Sequence, residues 1–412
     1  MKKRILFVMN NLGCGGAEKS LVTLLNCIDY SSYEVDLFLF EPEGVFMELL
    51  PPEVNLLPAP KYWKILNSSL AGSMKSLARD GRLDLMFCRG AQAIICRKFD
   101  SPERAEQYMW KFIKHAFSVL NGRYDAAIGY LEKNPVYFVV DRVKAARKIG
   151  WIHTNYSRLN INRNIEDRFF SKLDYIVTVS GECARILMNM FPGHESKVKI
   201  IENIIDPDLI RRMADMGGEA VEVEEEKEAK GANRTSITPG NPVRLVTVAR
   251  LAEPKGIDLA LEACRLLVRD GYKIIWRVIG DGPQRVQLES RIREYHLEYR
   301  FLLEGVKSNP YPYMKDADIY VQPSRYEGKS IAVEEAKLLC RPIVATAYGT
   351  VRDQIKDGIN GLVADISPEG LYKSIKLLID NKDLRSRLVN NLKKESVCGS
   401  REIIKLYRMI EG

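Results

Sequence analysis

VQPSRYEGKSIAVEEAKLLCRPIVAT, residues 321–346, decides the fold. The apolar run ending at Tyr320 and Val321 is broken by Pro323 and Ser324, and a polar loop carries Glu327 and Gly328. A helical stretch opens near Ser330 and closes before Arg341 and Pro342, and a second apolar run, Ile343 to Ala345, follows. The pattern is strand, loop, helix, strand, with the loop at the carboxyl end of the first strand. In an open α/β sheet that end borders the ligand crevice. A helix N-terminus there offers unpaired N–H groups and the positive end of its dipole, which favours a phosphate. Glu327 before the helix and Glu335 inside it supply acceptors for hydroxyl donors. An anion site beside hydroxyl acceptors implies a nucleotide sugar.

The totals bound the rest. A chain of 412 residues exceeds one comfortable core, so two α/β domains are expected. Hydrophobic content of 46% suits a globular protein. Eight cysteines, at positions 14, 27, 88, 96, 183, 264, 340 and 398, form no C-x-x-C pair, which argues against a zinc ribbon or disulfide scaffold and for a reducing cytosol. The opening MKKRILFVMN has an apolar run too short for a signal peptide, and it reads as a buried first strand. No segment approaches the ~20 apolar residues of a membrane span. The expected location is therefore the cytoplasm.

Net charge is +8, concentrated in residues 60–115, where eleven Lys or Arg face five acids and alternate with Tyr62, Trp63, Phe87, Phe99, Tyr108 and Trp110. Two readings stand: a solvated face over a helical core, or a peripheral contact with anionic lipid at the inner face of the plasma membrane. Nucleic acid is not expected, because no binding motif for it is present.

In chain order, Ile5–Met9 is a strand, and NNLGCGGAEKS leads from it into a helix. The dinucleotide fingerprint fails, since Glu18 stands where the third glycine belongs. Further strands are expected at Val35–Phe40, Tyr124–Tyr130, Lys148–His153 and Asp174–Ser180, with Ser180 capping a helix through Met190. Residues 60–122 read as mostly helical. Residues 214–241, with six glutamates and several glycines, form a flexible acidic insert, either an inert spacer or a partner-binding segment. The boundaries follow: 1–205 for the first domain, 242–394 for the second, and 395–412 for a closing helix with Ile403, Ile404, Tyr407 and Ile410 on one side.

Several motifs together carry a family resemblance. Glu327, Gly328, Glu335, Ala336 and the PIVAT run resemble the E-x7-E signature of retaining glycosyltransferases of family 4, which have the GT-B fold. Gly15, Gly16, Ala17 and Glu18 are similar to that family's G-G-A-E element, and Arg250 with Lys255 and Gly256 to its R-x4-K-G loop. His153 in WIHTN resembles the cleft histidine, Gly280 to Pro283 the G-x-G-P turn, and Asn203 to Asp206 the N-G-V-D turn, with Ile204 in place of glycine.

The resemblance implies two Rossmann-like parallel-sheet domains, the last helix crossing back to the first. It implies retaining transfer of a hexose from a nucleoside-diphosphate sugar, UDP favoured, to a hydroxyl of a glycan or lipid-linked acceptor in surface polysaccharide or glycolipid synthesis. His153, Arg250, Lys255 and Glu327 would be catalytic. His153 would support charge near the anomeric carbon, the two cations would meet the diphosphate, and Glu327 would hold sugar hydroxyls. Gly15, Gly16, Gly280, Val306, Gly328, Lys329, Ser330, Ile331 and Glu335 would bind the donor, Glu335 at the ribose. No cofactor and no metal are expected. One departure stands out: the family's E-G-F-G is E-G-K-S here, and Lys329 would either favour an acidic sugar or point to solvent or the diphosphate. Two other activities remain open on the same fold, a nucleotide-sugar 2-epimerase and a non-catalytic scaffold.

Overall fold

The computed structural model describes residues 2–13, 15–99, 101–120, 122–216, 241–395 and 400–412. Most of the acidic insert expected at 214–241 lies outside them. The chain forms two compact units, Met1–Ile204 with Ser400–Gly412, and Ile205–Gly399.

The first unit is built on seven strands: β1 (Lys3–Met9), β2 (Tyr33–Leu39), β3 (Asn55–Leu56), β4 (Tyr124–Gly129), β5 (Ala145–Ile152), β6 (Tyr175–Thr178) and β7 (Val198–Ile200). They lie in the order β3-β2-β1-β4-β5-β6-β7, and every neighbouring pair is parallel. Both faces of a parallel sheet are covered, so its strands read as unbroken apolar runs. In β1, Ile5, Phe7 and Met9 point into one core and Leu6 and Val8 into the other. This alternation follows from the two-residue period of a strand.

The helix Gly16–Asn26 and the last helix, Ser400–Glu411, cover the first face. The last helix buries Ile403, Leu406, Met409 and Ile410, whereas Ile404 is 46% exposed. The expected apolar side was therefore rotated: Leu406 and Met409 belong to it, and Ile404 does not. Tyr407 stacks on Tyr33 at 4.7 Å, its hydroxyl accepts the Asp29 N–H at 2.9 Å, and Glu402 accepts the Glu202 N–H at 2.8 Å.

The other face carries the helix Asn134–Arg142 and the helical stretch 61–113. Tyr62, Trp63 and Trp110 of that stretch point into the core. Trp110 is buried, Trp63 packs on Phe40 and Phe117, and Phe99 stacks on Tyr108. Phe87 faces outward.

The second unit holds β8 (Val243–Val248), β9 (Ile274–Ile279), β10 (Phe301–Gly305), β11 (Ile319–Gln322), β12 (Ile343–Thr346) and β13 (Leu362–Ala364). Their order is β10-β9-β8-β11-β12-β13, again parallel throughout. The helices Ile257–Arg269 and Pro368–Asp380 pack on one face, and Tyr311–Asp316 and Ile331–Leu338 on the other. The helix Pro207–Asp215 also belongs to this unit, through Ile210 and Ala214.

Strand order reverses once in each sheet. In the first unit the reversal falls between β1 and β4, and in the second between β8 and β11. At such a point the loops leaving the two strands diverge and open a crevice at their carboxyl ends.

Candidate functional site

At the reversal in the second unit, the loop after β8 carries Arg250 and Lys255, and the loop after β11 carries Glu327 to Ser330. The loops meet backbone to backbone. Gly256 has φ +62°, and a Cβ there would lie 2.1 Å from the Pro323 carbonyl oxygen. Gly280, at the end of β9 with φ +144°, approaches the Ala249 carbonyl in the same way. Only glycine permits both the conformation and the approach.

That approach brings Lys255 onto Glu327. Lys255 Nζ donates to both carboxylate oxygens, at 2.7 and 2.6 Å. Ser324 Oγ and Gln322 Nε2 donate to Oε1 at 2.7 and 3.2 Å, and Glu327 is 8% exposed. Three of these four hydrogen bonds fall on Oε1, and Oε2 receives only that from Lys255. The carboxylate acts as a clamp that aims the Lys255 ammonium. Lys255 spends two of its three protons on Glu327, so the third is available to another acceptor.

Arg250 is exposed, and its guanidinium has no hydrogen bond or ion pair among the described residues. Arg325 grips Asp258 with both terminal nitrogens, at 2.8 and 2.6 Å, and ties the β11 loop to the helix Ile257–Arg269.

Ser330 caps the helix Ile331–Leu338, its Oγ accepting the Val333 N–H at 3.4 Å. Gln354 braces the turn: it accepts the Ser330 N–H at 2.9 Å and donates to the Ser330 carbonyl at 2.7 Å and to Glu334 at 2.9 Å. Helix geometry leaves the N–H groups of Ile331 and Ala332 without intrahelical acceptors. Gly328 is buried beside them and Lys329 is half-buried. Glu335 is 2% exposed and accepts the Tyr311 hydroxyl at 3.0 Å. Val306 follows β10 at the same sheet edge and is 38% exposed. Backbone donors and two cations therefore gather at one crevice, an arrangement that complements a diphosphate.

The remaining expected residues lie in the first unit. His153 follows β5, and its N–H donates to Glu132 Oε2 at 3.2 Å. Burial pushes the imidazole down to about 3, against a hydrogen bond to the Tyr130 backbone that works the other way. His153 is therefore neutral near pH 7. Its ring can only donate or accept a hydrogen bond.

Gly15 caps the helix Gly16–Asn26. A Cβ on Gly15 would sit 2.1 Å from Glu18 Oε2, so the Glu18 carboxylate folds back over this N-terminus. Glu132, Gln322 and Ser324 belong to these two crevices although nothing in their spacing singled them out as functional. Of the three, Ser324 alone had a signal, the break after the strand.

Residues 231–395 match the family model "Glycosyl transferases group 1". Over 137 residues the chain is 32% identical to a putative colanic acid biosynthesis glycosyltransferase of Salmonella typhimurium, covering 31% of this chain and 34% of that one. Across 404 residues it is 23% identical to a Campylobacter jejuni diphospho-undecaprenol N-acetylgalactosaminyltransferase, covering 95% and 94%. The chain spans only about a third of the length of the curated relatives with over 30% identity. The crystal structure of Anabaena HepE in complex with UDP and glucose superposes at TM-score 0.68 and 15% identity, over 98% of this chain and 99% of that chain. The two parallel-sheet units thus have the GT-B fold.

Proposed function

We propose that this chain, whose residues 231–395 match the group 1 glycosyltransferase model, transfers a hexose from a nucleoside-diphosphate sugar to a hydroxyl of a glycan or lipid-linked acceptor. UDP is the favoured carrier and retention the favoured outcome, in the assembly of surface polysaccharide or glycolipid. The observation that carries the reading is the Lys255–Glu327 clamp at the β8/β11 reversal, beside a free Arg250 and a helix N-terminus.

The reaction breaks the bond between the anomeric carbon and a phosphate oxygen, so negative charge grows on the departing diphosphate. A positive group already held in place stabilises that charge without reorganising. Glu327 and its partners hold Lys255 this way, and Arg250 and the helix dipole add to the same field. These groups would serve without a divalent ion. Glu335 would take the ribose hydroxyls, and His153 would contact the sugar as a neutral hydrogen-bonding group.

A lipid-linked acceptor fits the surface of the first unit. On the helix Leu83–Lys98, Leu83, Phe87 and Ile94 are 73%, 71% and 68% exposed. At 100° per residue they fall within about 40° of one another. Of the net charge of +8, residues 60–115 supply +6, from eleven cations and five acids. An apolar stripe amid basic residues suits peripheral contact with an anionic bilayer, and no helix among the described residues is long and apolar enough to cross one.

The test is nucleoside diphosphate release from a panel of UDP- and GDP-sugars, with and without EDTA, followed by NMR of the product's anomeric configuration. Release from a UDP-sugar that EDTA leaves unchanged is expected. A chain that releases nothing from any donor would overturn the reading.

A further inference from the structure

Two residues before Glu327, on the same loop after β11, stands an arginine that the mechanism above does not use. Arg325 reaches across to the loop after β8 and touches it on both sides of Lys255. Before Lys255, the Arg325 backbone N–H donates to the Pro254 carbonyl at 2.8 Å, and Nη1 donates to the Glu253 carbonyl at 2.9 Å. Beyond Lys255, Nη1 and Nη2 donate to the two Asp258 carboxylate oxygens at 2.8 and 2.6 Å. Four hydrogen bonds from one residue thus bracket residues 253–258, with Lys255 between them.

The bracket supplies what the other contacts lack. Gly256, directly after Lys255, is the residue type that turns most freely, so the Lys255 turn needs an outside hold. The approach of Gly256 to Pro323 fixes how close the two loops come, but that approach alone leaves them free to turn about it. The Lys255–Glu327 contact lies at the tips of two flexible side chains, so it follows the loops and does not set them. A guanidinium is a planar fork whose donors are fixed relative to one another, and it fixes orientation as well as distance. Burial alone would raise the Asp258 carboxyl, but the hydrogen bonds and charge of Arg325, with the Asp258 N–H and the charge of Arg291, hold it below the ordinary carboxylate value. The pair is therefore ionised near neutral pH. Both terminal nitrogens are spent on protein acceptors and Nε lies 3.6 Å from Glu253 Oε1, so the guanidinium is committed to the loop.

We propose that Arg325 is a positioning residue for sugar transfer: it aligns the Lys255 turn with the Glu327 loop, so that the Lys255 ammonium meets the charge growing on the departing diphosphate. This rests on the transferase reading, and Arg325 acts through Lys255 without touching the donor. A cation already in place stabilises that charge without reorganising, and a misplacement of about 1 Å costs about 10²-fold in rate. The effect falls on kcat and spares the donor KM. A displaced ammonium still attracts the diphosphate of the bound donor, whereas the transition state demands its exact placement.

The test follows nucleoside diphosphate release by the full chain from the UDP-sugar that the wild type turns over fastest, with enough enzyme to measure slowed variants. Arg325→Met is expected to lower kcat about 10- to 100-fold and to leave the donor KM within about threefold. Arg325→Lys keeps the charge but not the fork, and its kcat should fall between that variant and the wild type. Combining Arg325→Met with Glu327→Gln separates this role from simple support of the fold. If Arg325 acts through the clamp, adding its loss to Glu327→Gln lowers kcat by less than about threefold more, whereas independent losses multiply. Should Arg325→Met fail to fold, Asp258→Asn takes its place and must show the same kcat loss, the same unchanged KM and the same non-additivity. An unchanged kcat, a loss confined to KM, an Arg325→Lys variant as fast as the wild type, or losses that multiply would overturn the proposal and leave the transferase reading intact. A wild type inactive on every donor would overturn both.

Discussion

Replacing Glu327 with glutamine removes the anionic half of the pair that holds Lys255 in place. The two charge-assisted contacts are 2.7 and 2.6 Å, and the side chains are 30% exposed for Lys255 and 8% for Glu327. Breaking a fully buried pair costs about 3–5 kcal/mol. Because the Lys255 ammonium can swing into solvent, about 2 kcal/mol is expected, or a fall in Tm of about 4–8 °C for a unit of this size. Lys255→Met acts differently, since it strands a buried carboxylate at the mouth of the crevice. UDP affinity should then drop at least about tenfold, or ~1.4 kcal/mol, whereas Glu327→Gln should keep it within a few-fold and lose kcat. The assays are thermal melts, calorimetric titration with UDP and donor turnover on both single variants and the double. A double-mutant cycle should return a coupling of about 1–3 kcal/mol. Effects that add within about 0.5 kcal/mol would refute the clamp.

Leu406 is fully buried in the core of the first unit, so Leu406→Ala should cost about 2–5 kcal/mol in a denaturant melt and leave UDP affinity untouched. Glu166 is 0% exposed, accepts Gln107 and Tyr156 at 2.7 and 3.1 Å as well as Tyr137, and has its carboxyl raised by burial. The folded state therefore keeps a proton that the unfolded chain releases, and this stability is full below about 4.3 and is lost as pH rises through the folded value. Melts at pH 5 and pH 8 should show Glu166→Gln gaining on the wild type at the higher pH. Phe87→Asp should cut cosedimentation with phosphatidylglycerol vesicles while leaving donor hydrolysis unchanged; equal cosedimentation would remove the bilayer from the account. Lys329→Phe should lower kcat/KM for UDP-glucuronate relative to UDP-glucose, and an unchanged ratio would assign Lys329 no part in reading an acidic sugar.

The parallel sheets were legible because burial on both faces writes itself as continuous runs such as Ile5–Met9, and because Pro323, Ser324 and Ser330 mark where strand becomes helix. The two-residue β3 is too short to show a period. The last helix misled because Ile403 and Ile404 are equally apolar yet 100° apart, and only packing chooses between them. The aromatics of residues 60–115 could not be sorted into core and surface, since a helix boundary error of one residue turns the face. Lys255 and Glu327 were each legible as residues at strand ends. Their contact was not, because it depends on β8 and β11 being neighbours, a fact of strand order. Arg325 was illegible for the same reason, since its grip on Asp258 crosses between the same two loops.

The most direct measurement is calorimetric titration of UDP into the full-length wild-type chain and into Lys255→Met, each with and without EDTA. The account predicts one UDP per chain, indifferent to EDTA, with affinity at least about tenfold weaker in the variant. Wild type that fails to bind UDP, or a variant that binds it as tightly, would contradict the account at its centre.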